Sequence, residues 1–300
     1  MGSASCSWDR IMRVREVPIG DLSRVMGEEW VDPARRPFVD GGRAYVPVRE
    51  EYPCSRILHE KRRYRGRGYY LVGDIAVVHG DRPRPEEISS ILEWCNPRGI
   101  LWIRSYRDPE RIPEAELMAG SAGETVHREN GISYHLDPTR VMFSMGNRVE
   151  KERISATINP GERVADMFAG IGYFTLPAAL AGAHVHAVEI NPDAFGYLVR
   201  NIRENLVEKR VEPVLGDCRD HLSGVYDRIL MGHFSAPDLL ESALDHAATG
   251  TILHVHSAGD ASLRIGEVLA GRGMNARMEI HKVKKLRPHT WHYVQDVTIV

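Results

Sequence analysis

The sequence predicts an α/β protein whose larger domain is a doubly wound, mostly parallel sheet, preceded by a smaller α+β domain. Residues 163–191 read as strand, glycine turn, helix and strand, the opening unit of such a sheet. From residue 163 onward, apolar runs of strand length alternate with helix-compatible runs. The last two apolar runs, 276–286 and 291–300, have no helix between them and are expected to pair antiparallel. Together these observations favour a Rossmann-like domain.

Length and composition suit two domains with a sizeable core. The chain has 300 residues and a net charge of -2, so a nucleic-acid site must be a local basic patch. Four scattered cysteines without a C-x-x-C pair favour a reducing cytoplasm over a disulfide framework or a cysteine zinc site. No apolar run approaches the roughly 20 residues that span a bilayer, and the N-terminus lacks a signal-peptide core. We therefore expect a cytoplasmic protein without a membrane partner, of open oligomeric state.

Three segments are expected along the chain. Residues 1–55, with the turn signals Asp32-Pro33 and Gly41-Gly42, read as a loop-rich lead-in without an assignable role. Residues 56–150 form a compact α+β unit. Its predicted elements are a strand–turn–strand at 69–78, a helix at 84–94, and strands at 100–103 and 132–136. Residues 151–300 form the Rossmann-like domain.

Two basic runs are candidate RNA contacts. Residues 56–68 carry six basic side chains against one acid, with two tyrosines close by, and a second run lies at 282–287. Basic side chains suit phosphates, and aromatic faces suit unstacked bases. A solvated loop is the alternative for the first run. The predicted RNA contacts are Arg62, Arg63, Arg65, Arg67, Lys284 and Lys285.

The elements of the Rossmann-like domain follow in regular order. Helices are predicted at 174–181, 192–206, 237–247 and 263–269. Strands are predicted at 211–215, 228–231 and 251–255 between them. A parallel sheet that ends in an antiparallel hairpin is the layout of class I methyltransferases.

The glycine turn indicates the kind of ligand. Gly170 and Gly172 allow a sharp turn and a close backbone approach. Glu189, at the end of the second strand, is placed to accept hydrogen bonds from two ribose hydroxyls. The third glycine of a dinucleotide fingerprint is missing, so a ribose without a pyrophosphate fits better, and S-adenosylmethionine is the common ligand of that kind. A glycine turn in an ordinary α/β domain is the alternative.

Several motifs together resemble one enzyme family. They are DMFAGIGYF, VEIN and Gly216-Asp217 in the Rossmann-like domain, GDIAVV and ETVHRENGISYHLDPTRVMFS before it, and KVKKLRPHTWHYVQDV at the end. This combination, over roughly residues 56–300, resembles the archaeal tRNA wybutosine-synthesizing aminocarboxypropyltransferases. They share a family with the tRNA (guanine-N1)-methyltransferases that act next to the anticodon.

The two branches of this family differ at two motifs. The methyl branch has Asn-Leu-Pro after the fourth strand, where this sequence has Met231-Gly232-His233. It has Ser-Pro-Arg in the linker, where this sequence has Ser144-Met145-Gly146. The resemblance therefore implies transfer of the 3-amino-3-carboxypropyl group of S-adenosylmethionine to 4-demethylwyosine in tRNA(Phe). Methyl transfer to guanosine N1 is the alternative. No metal is expected, because the sulfonium leaves as a neutral thioether.

The resemblance also implies a set of cofactor-binding residues. Glu189 is expected to hold the ribose, while Asp217 and the backbone of Cys218 bind the adenine edge. Asp166 is expected to orient the cofactor's amino group, either directly or through water. A structural turn residue is the alternative for Asp217. The complete predicted set is Ser144, Lys151, Asp166, Phe168, Gly170, Gly172, Glu189, Ile190, Asp217 and Cys218.

Other residues have roles that the sequence leaves open. Ser144 and Lys151 are expected to bind the carboxylate of the methionine arm, against the alternative of a turn serine and a surface lysine. Glu152 resembles a position associated with proton abstraction in the methyl branch, and is either a general base or an arginine partner. His233 is the second candidate catalytic residue. His254 and His256 alternate on one strand and so share a face, and both are expected to be core or site-lining residues rather than metal ligands.

Two competing functions remain from the sequence. One is an RNA-binding module that retains the fold without chemistry, which the intact Asp166, Glu189 and Asp217 argue against. The other is a small-molecule methyltransferase, which leaves residues 56–150 and both basic runs unexplained.

Overall fold

The structure, a computed structural model, describes residues 10–60 and 64–300. The chain divides into two compact units. The first contains the described residues up to Arg67 together with Ser89–Asn96, and the second contains Gly68–Ile88 and Pro97–Val300. The predicted division into three segments at residues 55 and 150 stays a prediction. No helix within the described ranges is both long and apolar enough to cross a membrane.

The first unit contains an antiparallel sheet where the sequence predicted a loop-rich lead-in, so that prediction is wrong. Its strands are β1 (Arg10–Pro18), β2 (Phe38–Asp40), β3 (Arg43–Pro47) and β4 (Arg56–Glu60), in the order β2-β3-β1-β4, with one short helix, α1 (Leu22–Val25). Arginines on β1 concealed the strand pattern. Arg13 donates to the carbonyls of Glu50 and Tyr52, and Arg15 donates to the carbonyl of Pro53. These arginines therefore hold the loop between β3 and β4 by hydrogen bonds.

A four-stranded mixed sheet opens the second unit. It consists of β5 (Tyr70–Val72), β6 (Ile75–His79), β7 (Gly99–Arg107) and β8 (Ile112–Gly120), in sequence order. Helix α2 (Pro85–Cys95) connects β6 to β7, which are parallel, and the other two pairs are antiparallel. The predicted strand–turn–strand, helix and third strand are therefore confirmed. A two-stranded hairpin follows, β9 (Thr125–Glu129) and β10 (Ile132–Leu136), joined by an Asn-Gly turn that suits positive φ angles.

The rest of the second unit is a seven-stranded sheet with helices. The strands are β11 (Arg163–Asp166), β12 (His184–Glu189), β13 (Val211–Leu215), β14 (Arg228–Met231), β15 (Ile252–Ala258), β16 (Ala276–Arg287) and β17 (Thr290–Ile299). The helices are α3 (Arg148–Ala156), α4 (Thr175–Leu180), α5 (Pro192–Glu204), α6 (Cys218–His221), α7 (Leu240–Leu244) and α8 (Ser262–Gly271). The predicted helix at 237–247 is instead a 3-10 turn, Ala236–Leu239, followed by α7.

The strand order confirms the predicted sheet. It is β13-β12-β11-β14-β15-β17-β16, with β17 antiparallel to both neighbours. Two apolar clusters cover its faces, one including Val164, Val185 and Leu198, the other including Met231 and Leu253. The order reverses between β11 and β14, and ligands of such sheets bind outside the carboxyl ends of the strands at this point.

A buried polar network holds α3 against the sheet. The Arg228 guanidinium donates to Glu162 at 2.8 Å, to the Thr157 carbonyl at 2.9 Å and to His254 Nε2 at 2.7 Å. Because arginine only donates, His254 Nε2 is the acceptor, and its Nδ1–H donates to Asp296 at 2.6 Å. Asp296 also accepts from Arg153 of α3. Arg228 and His254 therefore have structural roles in this network. His254 is a core residue, as predicted.

Helix α5 is also tied to the hairpin by side-chain amides. Asn201 accepts from the His135 amide at 2.7 Å and donates to its carbonyl at 3.2 Å. Asn205 makes the same pair of bonds with Ser133, at 3.0 and 2.8 Å. The outer edge of β10 is thereby hydrogen-bonded to a helix.

Candidate cofactor site

A cavity of about 310 Å³ lies at the carboxyl ends of β11, β12, β13 and β14, where the strand order reverses. Six of the ten predicted cofactor-binding residues line it, namely Phe168, Gly170, Glu189, Ile190, Asp217 and Cys218. Gly172, Asp166, Ser144 and Lys151 are not among its lining residues.

The Glu189 carboxylate is fixed in this cavity by two backbone amides. Gly170 N–H donates to one oxygen at 2.6 Å, and Asn191 N–H donates to the other at 2.7 Å. Gly170 adopts a positive φ of 57°, a conformation that favours glycine at this turn. Each carboxylate oxygen can accept two hydrogen bonds, so one acceptor position on each oxygen remains for a ligand. Burial raises the pKa of Glu189 to about 7, although the two amides oppose this shift.

Asp166 supports the turn from behind rather than lining the cavity. It is fully buried, and its oxygens accept from the Thr175 hydroxyl at 2.7 Å and from the Phe168 amide at 3.3 Å. Burial raises the pKa of Asp166 to about 6. Asp166 thereby orients the segment that carries Phe168. Its predicted role toward the cofactor's amino group, directly or through water, stays a prediction.

The Asp217 carboxylate stands at the cavity wall as the N-cap of α6. Its Oδ1 accepts from the Arg219 amide at 3.0 Å, and both oxygens pair with the Arg219 guanidinium. Hydrogen bonding to Arg219 lowers the pKa of Asp217, so the group is an anionic acceptor. Cys218, the first residue of α6, lines the same wall, and burial raises the pKa of its thiol to about 12. The thiol is therefore protonated near neutral pH, which leaves the backbone of Cys218 as the predicted ligand contact.

A second cavity, of about 530 Å³, adjoins the first. Arg111, Met142, Gly232 and His233 line both. Its other walls are formed by Tyr70, His79, Tyr106, Phe143, Ser144, Met145, Gly146, Asn147, Phe234, His256, Lys284, Leu286 and His292. Aromatic and imidazole rings predominate in this wall. Ser144 and Lys284, which the sequence assigned to different tasks, thus lie in one cavity.

His233 stands at the junction of the two cavities. Its ring stacks on Phe168 at a centroid distance of 5.4 Å. The Ser235 amide donates to His233 Nδ1 at 3.1 Å, so the proton of the neutral ring is on Nε2. Nε2 is buried, lacks a hydrogen-bond partner among the described residues, and lies 3.7 Å from Asp108 Oδ1. Burial lowers the pKa of His233, with the Arg111 charge acting in the same direction. The ring therefore acts as a neutral donor.

Lys151 and Glu152 lie on α3, and the structure brings neither into the two cavities. Lys151 Nζ is buried 2.5 Å from Glu129 Oε1 and is enclosed by three aromatic rings, because this face of α3 packs on the hairpin. The Glu152 side chain is half exposed and lies 3.4 Å from Arg148 one turn away. Of the two roles open for Glu152, the geometry supports the arginine partner.

The predicted RNA contacts are dispersed. Lys285 is exposed on β16, next to Lys284 in the second cavity. Arg65 is exposed and Arg67 half-buried in the first unit. Arg62 and Arg63 lie outside the described residues.

Sequence reasoning missed the loop between β7 and β8. Pro109, Glu110 and Arg111 line the first cavity, and the Glu110 carbonyl accepts from the Asn191 side chain at 3.0 Å. Arg111 stacks on Tyr106 at 5.1 Å and has a positive φ of 56°. The stretch 104–111 contains three arginines, two acidic residues and a proline, a composition that is also typical of a solvated loop, so nothing in it distinguishes Arg111 as a site residue.

Gly172 has a packing role. A Cβ there would lie 2.8 Å from Leu176 Cγ, and its φ is 104°. We expect Gly172→Ala to lower the free energy of unfolding by about 1–3 kcal/mol through strain and collision. Gly196→Ala is the matched control, because Gly196 is an α5 position with open space and should gain about 0.5–1 kcal/mol. Urea unfolding measures both, and equal midpoints would contradict the prediction.

Among residues 10–60 and 64–300, no three histidine, cysteine or acidic side chains are grouped as metal ligands would be.

Known proteins resemble this chain in sequence and in fold. A family model described as the TRM5/TYW2 methyltransferase domain matches residues 125–283. The tRNA(Phe) (4-demethylwyosine(37)-C(7)) aminocarboxypropyltransferase of Methanocaldococcus jannaschii is 32% identical, over 76% of this chain and 96% of that protein. The Pyrococcus horikoshii protein of the same name is 38% identical, over 63% of this chain and 72% of that protein.

Two solved structures cover different shares of the chain. Trm5b from Pyrococcus abyssi superposes with a TM-score of 0.74 at 25% identity, covering 96% of this chain and 99% of that one. P. horikoshii TYW2 in complex with MeSAdo superposes with a TM-score of 0.67 at 32% identity, covering 78% and 91%. The first likeness is extensive enough to include most of the first unit. The predicted fold class and the predicted resemblance are confirmed, and the chain belongs to the TRM5/TYW2 family.

Proposed function

We propose that this protein is an S-adenosylmethionine-dependent transferase that attaches the 3-amino-3-carboxypropyl group to C7 of 4-demethylwyosine in tRNA(Phe). The observation that carries the proposal is that the two cavities adjoin at Gly232, which lines both. A Cβ on Gly232 would lie 2.9 Å from Phe174 Cε2, so this wall admits no side chain without a shift. The resembling methyl branch has a polar motif at this point. The M. jannaschii relative that bears this activity in its name is matched over 96% of its length.

The first cavity fits the adenosine part of the cofactor. Glu189 keeps one free acceptor position on each oxygen, as two neighbouring ribose hydroxyls require. Gly170 presents no side chain to the cavity, so a sugar can approach the backbone. Asp217 is anionic and suits the amino group of adenine, with the Cys218 backbone beside it. The relative solved with MeSAdo has the same fold.

The second cavity fits the acceptor base. Tyr70, His79 and Tyr106 form one wall, with His79 stacked on Tyr70 at a centroid distance of 5.6 Å and tilted against Tyr106 at 6.0 Å. Flat aromatic walls stack on bases that are turned out of their strand. A tricyclic base offers a larger face to such walls than guanine does.

The chemistry needs no group beyond the two substrates. With S-adenosylmethionine bound, a bond would form from C7 to the γ-carbon of the methionine arm while the γ-carbon–sulfur bond breaks. Sulfur would keep the electron pair and leave as neutral methylthioadenosine, and the C7 proton would pass to water. The residues of the chain orient the two reactants for in-line displacement. His233 donates from Nε2 at the junction and so positions the base or the arm. Because that nitrogen already carries a proton in the neutral ring, His233 is not the base that takes the C7 proton there.

For tRNA, the exposed cations are the proposed phosphate contacts. Lys285 lies beside the second cavity on β16, and Arg65 is exposed in the first unit. Basic side chains at these positions neutralise phosphates without reading sequence. Methyl transfer to guanosine N1 is the second candidate, and the likeness to Trm5b across 96% of the chain favours it.

One incubation separates the two candidates. The protein is mixed with S-adenosylmethionine and tRNA from a strain that accumulates 4-demethylwyosine, and nucleosides and by-product are identified by mass spectrometry. We expect methylthioadenosine and an aminocarboxypropylated tricyclic base. S-Adenosylhomocysteine with N1-methylguanosine would instead establish the methyl branch. The same tRNA prepared without 4-demethylwyosine is the control and should yield no methylthioadenosine.

The pKa of Glu189 predicts a pH dependence of nucleoside binding. Burial raises this pKa to about 7, and the ionised form is the double acceptor that a ribose needs. Affinity for methylthioadenosine should therefore rise roughly tenfold from pH 6 to pH 8, as the ionised fraction increases. Calorimetry at pH 6, 7 and 8 measures this, and the ligand itself does not titrate in that range. The Glu189→Gln variant should show a flat profile, and an equal slope in both proteins would contradict the assignment.

A further inference from the structure

Two buried histidines form part of the wall of the second cavity. His256 on β15 and His292 on β17 both line this cavity, and the two residues are only 1% and 0% exposed. His292 Nε2 and His256 Nδ1 lie 3.0 Å apart, so one of these nitrogens donates a hydrogen bond to the other. The two imidazoles are thereby joined into a buried pair.

The hydrogen bond between the rings governs where the protons of the pair reside. A neutral imidazole has one N–H and one bare nitrogen. When His256 Nδ1–H donates to His292 Nε2, the second proton of the pair is on His292 Nδ1, and His256 Nε2 is bare. Among the described residues none is hydrogen-bonded to that Nε2, whereas His292 Nδ1 is buried without a partner there. In this arrangement His256 offers the cavity a nitrogen that can accept a proton.

The pair lies behind the segment at which the two cavities adjoin. The His256 ring packs edge-on against Phe174 at a centroid distance of 5.2 Å, and Phe174 is the residue that a Cβ on Gly232 would strike. The His292 ring packs edge-on against Phe234 at 5.1 Å. Gly232 lines both cavities, so the pair is close to the place where cofactor and acceptor base have to meet.

The other acid–base side chains described in this wall are engaged or already protonated. The lining residues include no aspartate or glutamate. His79 is bonded to the Tyr70 hydroxyl at 2.8 Å and to the backbone of Ile103. His233 carries its proton on the nitrogen at the junction, and Lys284 is an ordinarily protonated amine. His256 is therefore the lining residue best suited to receive a proton.

The surroundings keep the pair uncharged near neutral pH. Burial lowers the pKa of His256 well below its usual range, with His292 and His254 acting in the same direction. Burial also lowers the pKa of His292 to about 4, assisted by the charge of Lys284. Both rings are therefore neutral at pH 7 and available as acceptors. A base of this low strength is sufficient only for a strongly acidic proton.

We propose that His256 is the base that takes the C7 proton before it reaches water, with His292 as the positioning residue that holds its tautomer. The inference rests on the proposed function for the identity of the acceptor base. Once C7 has formed its bond to the γ-carbon, the tricyclic ring is a cation whose C7 still carries hydrogen. The C7–H bond breaks, its electron pair restores the aromatic ring, and the proton joins His256 Nε2. The protonated imidazole then releases this proton to water.

The strength of the base matches that of the acid. Loss of the C7 proton restores aromaticity, so the cationic ring is a strong carbon acid and a weakly basic imidazole can deprotonate it. While His256 is protonated, its Nδ1–H donates a charge-assisted hydrogen bond to His292 Nε2. This bond stabilises the positive charge in a wall whose described lining residues include no carboxylate. His292 thus acts on the reaction through His256.

The test measures whether proton removal becomes slow when residue 256 cannot accept a proton. Single-turnover product formation is followed for wild type, His256→Gln and His292→Gln, on tRNA whose 4-demethylwyosine carries either hydrogen or deuterium at C7. Glutamine keeps hydrogen-bonding groups and much of the volume of histidine, but it is not a base. We expect His256→Gln to be slower by about a hundredfold or more, with a primary deuterium isotope effect that wild type lacks. His292→Gln should lose less of the rate and show an isotope effect of the same kind.

The control variant is His184→Gln, which changes an exposed histidine at the start of β12 and should behave as wild type. Calorimetry should give the same dissociation constant of S-adenosylmethionine for all four proteins. A slow His256→Gln protein without an isotope effect would make His256 a packing residue, and an unchanged rate would leave water as the direct acceptor. Either result overturns the inference while wild type still releases methylthioadenosine. Release of S-adenosylhomocysteine by wild type would instead overturn the proposed function together with this inference.

Discussion

Replacing Glu189 with alanine should raise the dissociation constant of methylthioadenosine by at least about a hundredfold while the fold survives. The carboxylate would contribute two charge-assisted hydrogen bonds to the ribose, together about 3 kcal/mol or more. The Gly170 and Asn191 amides that it leaves unpaired face a cavity and can be reached by water. Calorimetry gives the affinity, and circular dichroism follows the unfolding transition.

Two further variants test whether the loss of affinity is specific to the Glu189 carboxylate. Glu189→Gln keeps the shape and one acceptor oxygen but loses the charge, so its affinity should lie between those of wild type and Glu189→Ala. Glu212→Ala removes an exposed acid from β13 and should leave binding unchanged. An affinity of Glu189→Ala within about threefold of wild type, far below the expected loss, would reject the ribose role.

Replacing Arg228 with methionine should produce the largest loss of stability, about 3–5 kcal/mol. The Arg228 side chain is only 2% exposed and satisfies Glu162, Thr157 and His254. Methionine fills much of the volume but leaves the Glu162 Oε2 oxygen and the buried His254 acceptor without a donor, while Glu162 Oε1 keeps its bonds from Asn159. Chemical denaturation with two independent probes measures the change in the free energy of unfolding.

The matched control is another arginine in an ion pair. Arg264 lies 2.5 Å from Asp238, but both side chains are more than half exposed. Arg264→Met should cost at most about 1 kcal/mol, because solvent screens exposed pairs. Similar denaturation midpoints for the two variants would show that the buried network contributes no more than a surface pair.

The Rossmann-like domain was predictable because its signals are local. Each of its three main signals can be recognised within about ten residues: the glycine turn, the strand that ends at Glu189 and the strand that ends before Asp217. Parallel strands then bring these ends together at one edge of the sheet. The sheet of the first unit was missed because arginines on β1 interrupt the apolar alternation. They point at loop carbonyls that the sequence does not mark as partners.

The lining of the second cavity could not be predicted from the sequence. Lys151 and Glu152 follow the linker motif, where the sequence predicted Lys151 as a cofactor contact and Glu152 as a general base or an arginine partner. On the helix, Lys151 contacts Glu129 and Glu152 contacts Arg148. Lys284 and Arg111 come from strands and loops more than a hundred residues apart in the chain. Their meeting in one cavity is a property of tertiary packing, which no spacing in the sequence encodes.

The asparagines of α5 have a consequence for the behaviour of the chain in concentrated solution. A two-stranded hairpin ordinarily leaves its edges open to strand addition by another molecule, and such edges are a route to aggregation. Along β10, the amide groups of Asn201 and Asn205 occupy the donors and acceptors of Ser133 and His135. Helix α5 thereby acts as a covering for that edge, and an incoming strand would have to displace four hydrogen bonds before it could pair there.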